Sequence, residues 1–121
     1  NNKEAILPVS DQVRHWHASP RSATHFLTHA GTMDLSQLGT RRSLNMPGVS
    51  CTVEEQIEAL RQIAGNKVTS KIRHEPNPKI IKIVEGWPRN FDPVRATALG
   101  FKSESTFSEI VKVYLDDDFE K

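Results

Sequence analysis

The sequence predicts an α/β fold, because two of its segments pair a short strand with the start of a helix. In the first, residues 14–18 alternate like a strand, Ser19 is a good N-cap, and Pro20 suits the first helical position. In the second, Ser43–Met46 is typical of a strand, and residues 52–55 (Thr-Val-Glu-Glu) form a capping box at a helix start. Two such units in succession favour an α/β domain.

Composition limits the classes of function. The 121 residues suffice for one domain with a modest core, so residues 1–121 are expected to form a single unit. A net charge of +1 provides no basic field for nucleic acid, and no apolar run approaches the length of a membrane span. The first four residues have no signal-peptide pattern, and Cys51 is the only cysteine. We therefore expect a cytoplasmic protein with a buried thiol at Cys51.

Further elements follow from apolar spacing and turn residues. Glu4–Val9 and Lys71–Glu75 are typical of extended segments, and residues 33–39 of a connector with one helical turn. The helix from Pro20 is predicted to reach about Ala30 and to stop at Gly31. Its predicted apolar face consists of Ala23, Phe26, Leu27 and Ala30.

Helices in the second half of the chain are predicted in the same way. The capping-box helix should bury Val53, Ile57, Leu60 and Ala64 and end at Gly65. The next helix follows the spacing of Ile80, Ile83, Val84 and Trp87. A helix from Pro93 to Gly100, capped by Asp92, should bury Val94, Ala98 and Leu99. A last helix, with a capping box of Thr106 and Glu109, should bury Phe107, Ile110, Val111 and Tyr114. Short strands with about four to five helices result.

The main candidate site lies at the first strand-to-helix junction. Arg14 and Trp16 share one face of the strand, and Arg21 lies in the first turn of the helix that Ser19 caps. Guanidinium groups beside helix-start N–H groups suit a carboxylate or a phosphate. His25 and His29 have the i, i+4 spacing of zinc ligands, but no third ligand is near them, so we expect solvated histidines and no metal site.

The motifs of several enzyme classes are missing from the 121 residues. The six glycines are far apart, which excludes a dinucleotide fingerprint and a P-loop. Tyr114 is followed four residues later by Asp118, so it is not part of a Tyr-x-x-x-Lys pair. No spacing identifies a catalytic triad. The residues themselves therefore predict neither a catalytic nor a cofactor-binding group, and leave open whether the chain is part of an enzyme.

Five segments together carry a family resemblance. They are Leu7-Pro8-Val9, residues 14–23, residues 44–55, Gly86-Trp87-Pro88 and residues 91–101. In their order and spacing they resemble the C-terminal substrate-binding portion of the extended short-chain dehydrogenase/reductase (NAD-dependent epimerase/dehydratase) family. The resemblance is greatest to the D-erythronate dehydrogenase-like branch.

The resemblance explains the missing motifs. In that family the cofactor fingerprint and the catalytic Ser/Thr, Tyr and Lys lie upstream, in an N-terminal Rossmann part absent from these 121 residues. It implies that NAD or NADP serves the complete enzyme and that this chain is not catalytic on its own. The implied partners are the Rossmann part and a small anionic substrate, without nucleic acid or membrane. Assembly as a homodimer is left open.

The resemblance also bears on the roles of three residues at the first strand-to-helix junction. Arg14 matches an arginine that contacts substrate phosphates in sugar-nucleotide epimerases, with Trp16 in place of their tyrosine. Arg21 stands where those epimerases carry aspartate, which favours a smaller acid whose carboxylate needs a partner. Arg89, beside Trp87, is a further substrate-binding candidate.

The implied function is substrate binding in an NAD-dependent oxidoreductase acting on a sugar acid such as D-erythronate. Hydride transfer would then be carried out by residues outside the chain. The alternatives are a fragment of a nucleotide-sugar epimerase/dehydratase and a non-catalytic binding module with the same sub-fold.

Overall fold

The computed structural model describes residues 3–119 and has the predicted α/β fold. Its four strands are β1 (Ala5–Leu7), β2 (Arg14–His17), β3 (Val49–Thr52) and β4 (Ile72–His74). The α-helices among these residues are α1 (Pro20–Thr32), α2 (Val53–Ala64), α3 (Asn66–Thr69), α4 (Pro78–Val84), α5 (Val94–Ala98) and α6 (Phe107–Asp117). A 3-10 turn covers Leu35–Leu38, as expected for the connector, and the four-residue α3 is the one helix that the apolar spacing does not indicate.

The strands form two separate pairs. β1 lies parallel to β4, with Ala5 opposite Ile72, and β2 lies antiparallel to β3, with Arg14 opposite Thr52. Two backbone hydrogen bonds continue the second pair into the start of α2, from the N–H groups of residues 53 and 54 to the carbonyls of residues 13 and 11. The first predicted strand-to-helix unit, β2 followed by α1, is therefore joined directly to the second.

The strand predicted at Ser43–Met46 is wrong. Residues 41–48 are irregular, and the strand begins at Val49, where four residues that are alternately buried and half-buried pair with β2. The Met46 carbonyl instead accepts a hydrogen bond from the indole Nε1 of Trp16 at 3.1 Å. Pro47 follows immediately and has no N–H to donate to a ladder, so pairing starts only beyond it.

The buried face of α1 differs from the predicted one. Leu27 is 77% exposed, and the face that packs inward carries Ser22, Phe26 and His29. The His29 ring lies 4.6 Å from that of the buried Phe101, and its Nε2 lies 2.7 Å from the Leu99 carbonyl. The solvated state expected for His29 is therefore wrong. The apolar spacing along the helix counts histidine as polar, but a histidine whose ring nitrogen is hydrogen-bonded can pack against an aromatic ring.

Of the two glycines predicted to end α1 and α2, Gly65 ends its helix and Gly31 does not. Gly31 lies inside α1, which continues to Thr32 because the Met33 N–H still bonds to a carbonyl in the last turn. The capping box of α2 is present as predicted, between Thr52 and Glu55. Gly65 ends α2 with a positive φ of 83°, a conformation that glycine adopts without strain.

The helices after β4 bury fewer of the predicted residues. In α5, Val94 is 69% exposed, whereas Ala96 is 1% exposed and faces the core, so the predicted burial of Val94 and Ala98 is wrong. The single turn of α5 is fixed by the Phe101 N–H, which bonds to the Ala96 carbonyl. Ala96 and Phe101 are both buried.

The last helix, α6, packs against α2, and its buried residues are Val111 and Val113. Tyr114 is exposed beside Phe119, so its predicted place in the core is wrong. The N-cap of α6 is Thr106 as predicted, but the Glu109 carboxylate accepts from the N–H of residue 105 instead of closing the capping box. Val111 and Val113 are about 200° apart around the helix, so a prediction from one apolar face includes Val111 and leaves Val113 out.

Gly48 provides a test of the packing around Trp16. A Cβ at this position would lie 2.6 Å from the indole Nε1 and 2.7 Å from the His17 carbonyl. We expect Gly48→Ala to lower the free energy of unfolding by about 1–3 kcal/mol, because both contacts are with ordered groups. Urea unfolding followed by tryptophan fluorescence measures the change.

Gly31→Ala is the matched control. A methyl group at Gly31 meets no atom within 4 Å, and the residue is helical, so this variant should be more stable by up to about 1 kcal/mol. Equal stability of the two variants would contradict the packing described here.

Candidate functional site

Two of the four predicted site residues, Arg14 and Arg89, line the same cavity. It has a volume of about 380 Å³ and lies between the start of β2 and the C-terminal end of α4. Its floor is apolar, formed by Val9, Val13, Ile81 and Val84, and its polar lining consists of Ser10, Gln12, Arg14, His15, Glu85 and Arg89. Cavities of this size with a few convergent polar groups are typical of small-molecule sites.

Arg14 is held in place by neighbouring groups. Its Nη1 donates to the Ser50 carbonyl at 3.0 Å, and its Nη2 lies 3.3 Å from a carboxylate oxygen of Glu55. Ser50 is near Arg14 because β2 and β3 pair antiparallel, and Glu55 is near it because α2 begins where β3 ends. A guanidinium held by two partners offers its charge to a ligand at little cost in side-chain entropy.

Arg89 lies in the loop between α4 and α5. The Ser50 hydroxyl donates to the Arg89 carbonyl at 2.9 Å, which ties this loop to β3. A second attachment is the Trp87 ring, which lies 5.3 Å from the His15 ring. Within residues 3–119, the Arg89 guanidinium makes no ion pair or hydrogen bond. The backbone of Arg89 is therefore held by the Ser50 hydroxyl, whereas its side-chain charge has no partner among the described residues.

Trp16 lies outside this cavity. Its indole N–H bonds to the Met46 carbonyl, and its ring meets that of Phe91 edge to face at 5.9 Å. It lines a smaller hollow of about 270 Å³, together with Phe26 and Phe91. These contacts hold the irregular segment before β3.

Arg21 also lies apart from the cavity lined by Arg14 and Arg89. Its Nη2 and Nε donate to the two carboxylate oxygens of Asp117 at 2.6 and 2.9 Å, a bidentate pair that joins α1 to the end of α6. The hydrogen bonds from Arg21 lower the pKa of the Asp117 carboxyl. The carboxylate partner expected for Arg21 is present, but in this structure it belongs to the chain itself.

The helix-start donors of α1 are likewise used internally, by Glu104. Ser19 caps the helix by accepting from the Ser22 N–H at 3.0 Å. Both serine hydroxyls donate to the Glu104 carboxylate, the one from Ser22 at 2.8 Å, and the Ser19 N–H adds a longer bond. The structure therefore places an acidic side chain, 85 residues away in sequence, at the helix start where the sequence predicts an anionic ligand.

The Glu104 site shows two opposed effects on one pKa. Partial burial raises the pKa of the carboxyl, but the hydrogen bonds from Ser19 and Ser22 outweigh burial and hold the pKa below its usual range. Glu104 therefore stays charged and keeps α1 attached to the segment before α6.

Cys51 is buried on β3, and burial raises the pKa of its thiol. Ionisation is therefore disfavoured, as expected for a structural thiol. Among residues 3–119, no cluster of His, Cys, Asp or Glu side chains could hold a metal ion. No helix in the same range is long and apolar enough to cross a membrane.

The described residues do not fit a nicotinamide dinucleotide. Such a cofactor needs a glycine-rich turn between a strand and a helix N-terminus. Here the N-terminus of α1 is occupied by Glu104, and that of α2 by its own capping box. The positive-φ glycines of residues 3–119, at positions 39, 65 and 100, do not lie at strand-to-helix turns.

Sequence comparison gives two dehydrogenases as relatives, although no family model matches the chain. D-erythronate dehydrogenase of Cupriavidus necator is 38% identical over 113 residues, which are 93% of this chain and 35% of that enzyme. D-erythronate dehydrogenase of Haemophilus influenzae is 31% identical over 118 residues, 98% of this chain and 38% of that enzyme. The chain resembles D-erythronate dehydrogenases. It spans little more than a third of their length, which fits the predicted C-terminal portion.

Solved structures show the same relationship. A nucleoside-diphosphate-sugar epimerase from Agrobacterium tumefaciens is 52% identical, with a TM-score of 0.93 over 96% of this chain and 34% of that one. A GalE-like L-threonine dehydrogenase from Cupriavidus necator, 22% identical, has a TM-score of 0.78 over 94% of this chain and 36% of its own, and shows the fold alone. The predicted resemblance to the short-chain dehydrogenase and epimerase group is confirmed.

The sequence missed two residues that shape the cavity. Ser50 connects Arg14 to the Arg89 loop, and Glu85 places a carboxylate in the lining. Ser50 belongs to the segment 44–50 that carries part of the family resemblance, so a signal for it exists. Glu85 has no comparable signal, since it follows α4 as an ordinary charged residue.

The Glu104 attachment predicts how stability depends on pH. Because its folded pKa lies below the unfolded value of about 4.3, its contribution is fully present above that pH and is lost as the pH falls through the folded pKa. Glu104→Gln should therefore be less stable than the parent at pH 7, and the difference should shrink below about pH 4. Urea unfolding from pH 3 to 7 measures it.

Glu75→Gln is the control, since Glu75 is exposed and its one ion pair within residues 3–119 is with the exposed Arg73. The half-buried His17, whose pKa is lowered by burial and by His15, is the same in all three proteins and cancels in the comparison. A constant difference between Glu104→Gln and the parent across this range would contradict the assigned pKa direction.

Proposed function

We propose that this chain is the substrate-binding portion of an NAD- or NADP-dependent oxidoreductase that acts on a sugar acid of the D-erythronate type. The observation that carries the proposal is the cavity in which Arg14, braced by Ser50, and Arg89 both line the wall. Similarity to D-erythronate dehydrogenases over at least 93% of the chain supports the substrate class.

The chemistry of the cavity suits a small hydroxy acid. Arginine binds a carboxylate through two parallel hydrogen bonds, and two arginines can share its two oxygens. The hydroxyl of Ser10, the amide of Gln12 and the carboxylate of Glu85 provide partners for substrate hydroxyls. The apolar floor suits the carbon chain. Of the four predicted residues, Arg14 and Arg89 then bind substrate, Trp16 positions the segment before β3, and Arg21 fastens α1.

Catalysis belongs to residues outside these 121, in a Rossmann part that carries the cofactor. The bound dinucleotide would supply a hydride acceptor. The residues of this chain bind the acid and orient it, and the single unit 1–121 forms one wall of the active-site cleft. We place the enzyme in the cytoplasm, with a small anionic molecule as its ligand, and a homodimer is the assembly to test first.

A second candidate, a nucleotide-sugar epimerase or dehydratase, is favoured by one observation. The Agrobacterium tumefaciens structure, a nucleoside-diphosphate-sugar epimerase, is more similar in sequence than either dehydrogenase. Two arginines can also bind a diphosphate. The two candidates are separated by the preferred ligand, D-erythronate or UDP-glucose, measured on the same protein.

Arg89→Ala tests the cavity. The variant should bind D-erythronate roughly 10- to 100-fold more weakly than the parent, because it removes charged hydrogen bonds to the substrate carboxylate. Isothermal titration calorimetry measures the affinity. Arg41→Ala is the matched control, since the exposed Arg41 side chain makes no hydrogen bond or ion pair within residues 3–119. Equal affinities of the two variants would reject the cavity as the substrate site.

An activity assay of the 121-residue chain tests whether catalysis requires residues outside it. Incubated with NAD and D-erythronate, the purified chain should produce no NADH, because none of its described residues fits the cofactor. Absorbance at the NADH maximum measures turnover, and detectable oxidation of D-erythronate would contradict the claim that catalysis requires residues outside the chain.

The reading frame upstream of Asn1 gives a second test. A glycine-rich βαβ segment there supports the enzyme, and its absence supports a free-standing binding module.

A further inference from the structure

Glu85 is the acidic residue in the cavity lining, opposite in charge to Arg14 and Arg89. Within residues 3–119, its carboxylate forms no ion pair with either arginine and no hydrogen bond. The nearest charge partner of Arg14 is instead Glu55, on the α2 side. The Glu85 carboxylate is therefore not there to neutralise an arginine, and its oxygens can accept hydrogen bonds from a ligand.

The position of Glu85 in the fold is locally unfavourable. It is the C-cap residue of α4, where the helix dipole places partial negative charge. A lysine at this position would interact favourably with the helix dipole, whereas a glutamate opposes it. A residue that opposes its local electrostatics and also faces a cavity is a candidate for ligand recognition.

The charges of the lining add up to a specific preference. Arg14 is already paired with Glu55, so within residues 3–119 Arg89 is the arginine of the lining without an ion-pair partner, and Glu85 is the negative charge of the same lining. This arrangement complements a monoanion better than a diphosphate or a dicarboxylate. We infer that Glu85 is a specificity-determining residue that makes the cavity select singly charged polyhydroxy acids, by accepting a substrate hydroxyl and repelling a second negative charge. This inference rests on the proposed function.

The test compares two ligands of similar shape. D-erythronate has one carboxylate, and meso-tartrate has the same four-carbon chain with a second carboxylate in place of the terminal alcohol. The parent protein should prefer D-erythronate. In Glu85→Gln, the affinity for meso-tartrate should rise and that for D-erythronate should fall, which changes their ratio by about tenfold or more. Calorimetric titration of each ligand gives the ratio.

The controls separate the two claims. Glu75→Gln removes an exposed carboxylate outside the cavity and should leave the ratio unchanged. Urea unfolding checks that Glu85→Gln folds, and removal of charge from the helix C-cap should not lower its stability.

Each outcome decides one of the claims. If the parent binds D-erythronate and Arg89→Ala loses it, but Glu85→Gln keeps the parental ratio, the role of Glu85 is overturned and the proposed function stands. If the parent binds neither acid, or prefers UDP-glucose, the proposed function fails and this inference fails with it.

Discussion

The pairing of β2 with β3 is the constraint on which the candidate site depends. Four residues on each strand set the register that brings Ser50 beside Arg14. Ser50 then fixes the loop of Arg89 through its hydroxyl, so one short antiparallel pair aligns residues from three distant parts of the chain. A slip of one residue would turn every side chain of β3 to the opposite face and separate the two arginines. Gly48 permits this register, because Trp16 occupies the space where a side chain would lie.

The role of each arginine in this fold depends on the groups that bind its side chain. The sequence marks Arg14 and Arg21 as the main candidates and Arg89 as a further one, whereas the structure separates them by their partners. Arg21 pairs with Asp117, Arg14 is bonded to Ser50 and Glu55, and Arg89 has no side-chain partner within residues 3–119. The start of α1 suits an anion for sound reasons, and the fold fulfils that expectation with Glu104.

Local signals in the sequence predicted most of the fold. Caps and turn residues such as Ser19, Thr52 and Gly65 act within a few residues, so they located the helices and most strands correctly. Burial depends on what the rest of the chain places against each element, and this is why Leu27 and Tyr114 were wrongly assigned to the core. The site followed the same division. Arg14 was found from a local motif, whereas the roles of Ser50 and Glu85 arise from contacts between distant segments.

The attachments of α1 have a consequence for how the chain folds during synthesis. At its start, Ser19 bonds to Glu104 and Arg21 bonds to Asp117. The two pairs are separated by 85 and 96 residues in sequence. Contacts of such high sequence separation form late, because a long loop must close before they contribute. As the chain leaves the ribosome, α1 is made before its docking partners, which are present only when α6 is nearly complete. The segment from Glu104 to the end of α6 therefore completes the attachment of α1. Proteolysis or premature termination before residue 104 would remove both of these contacts and leave the start of α1 undocked.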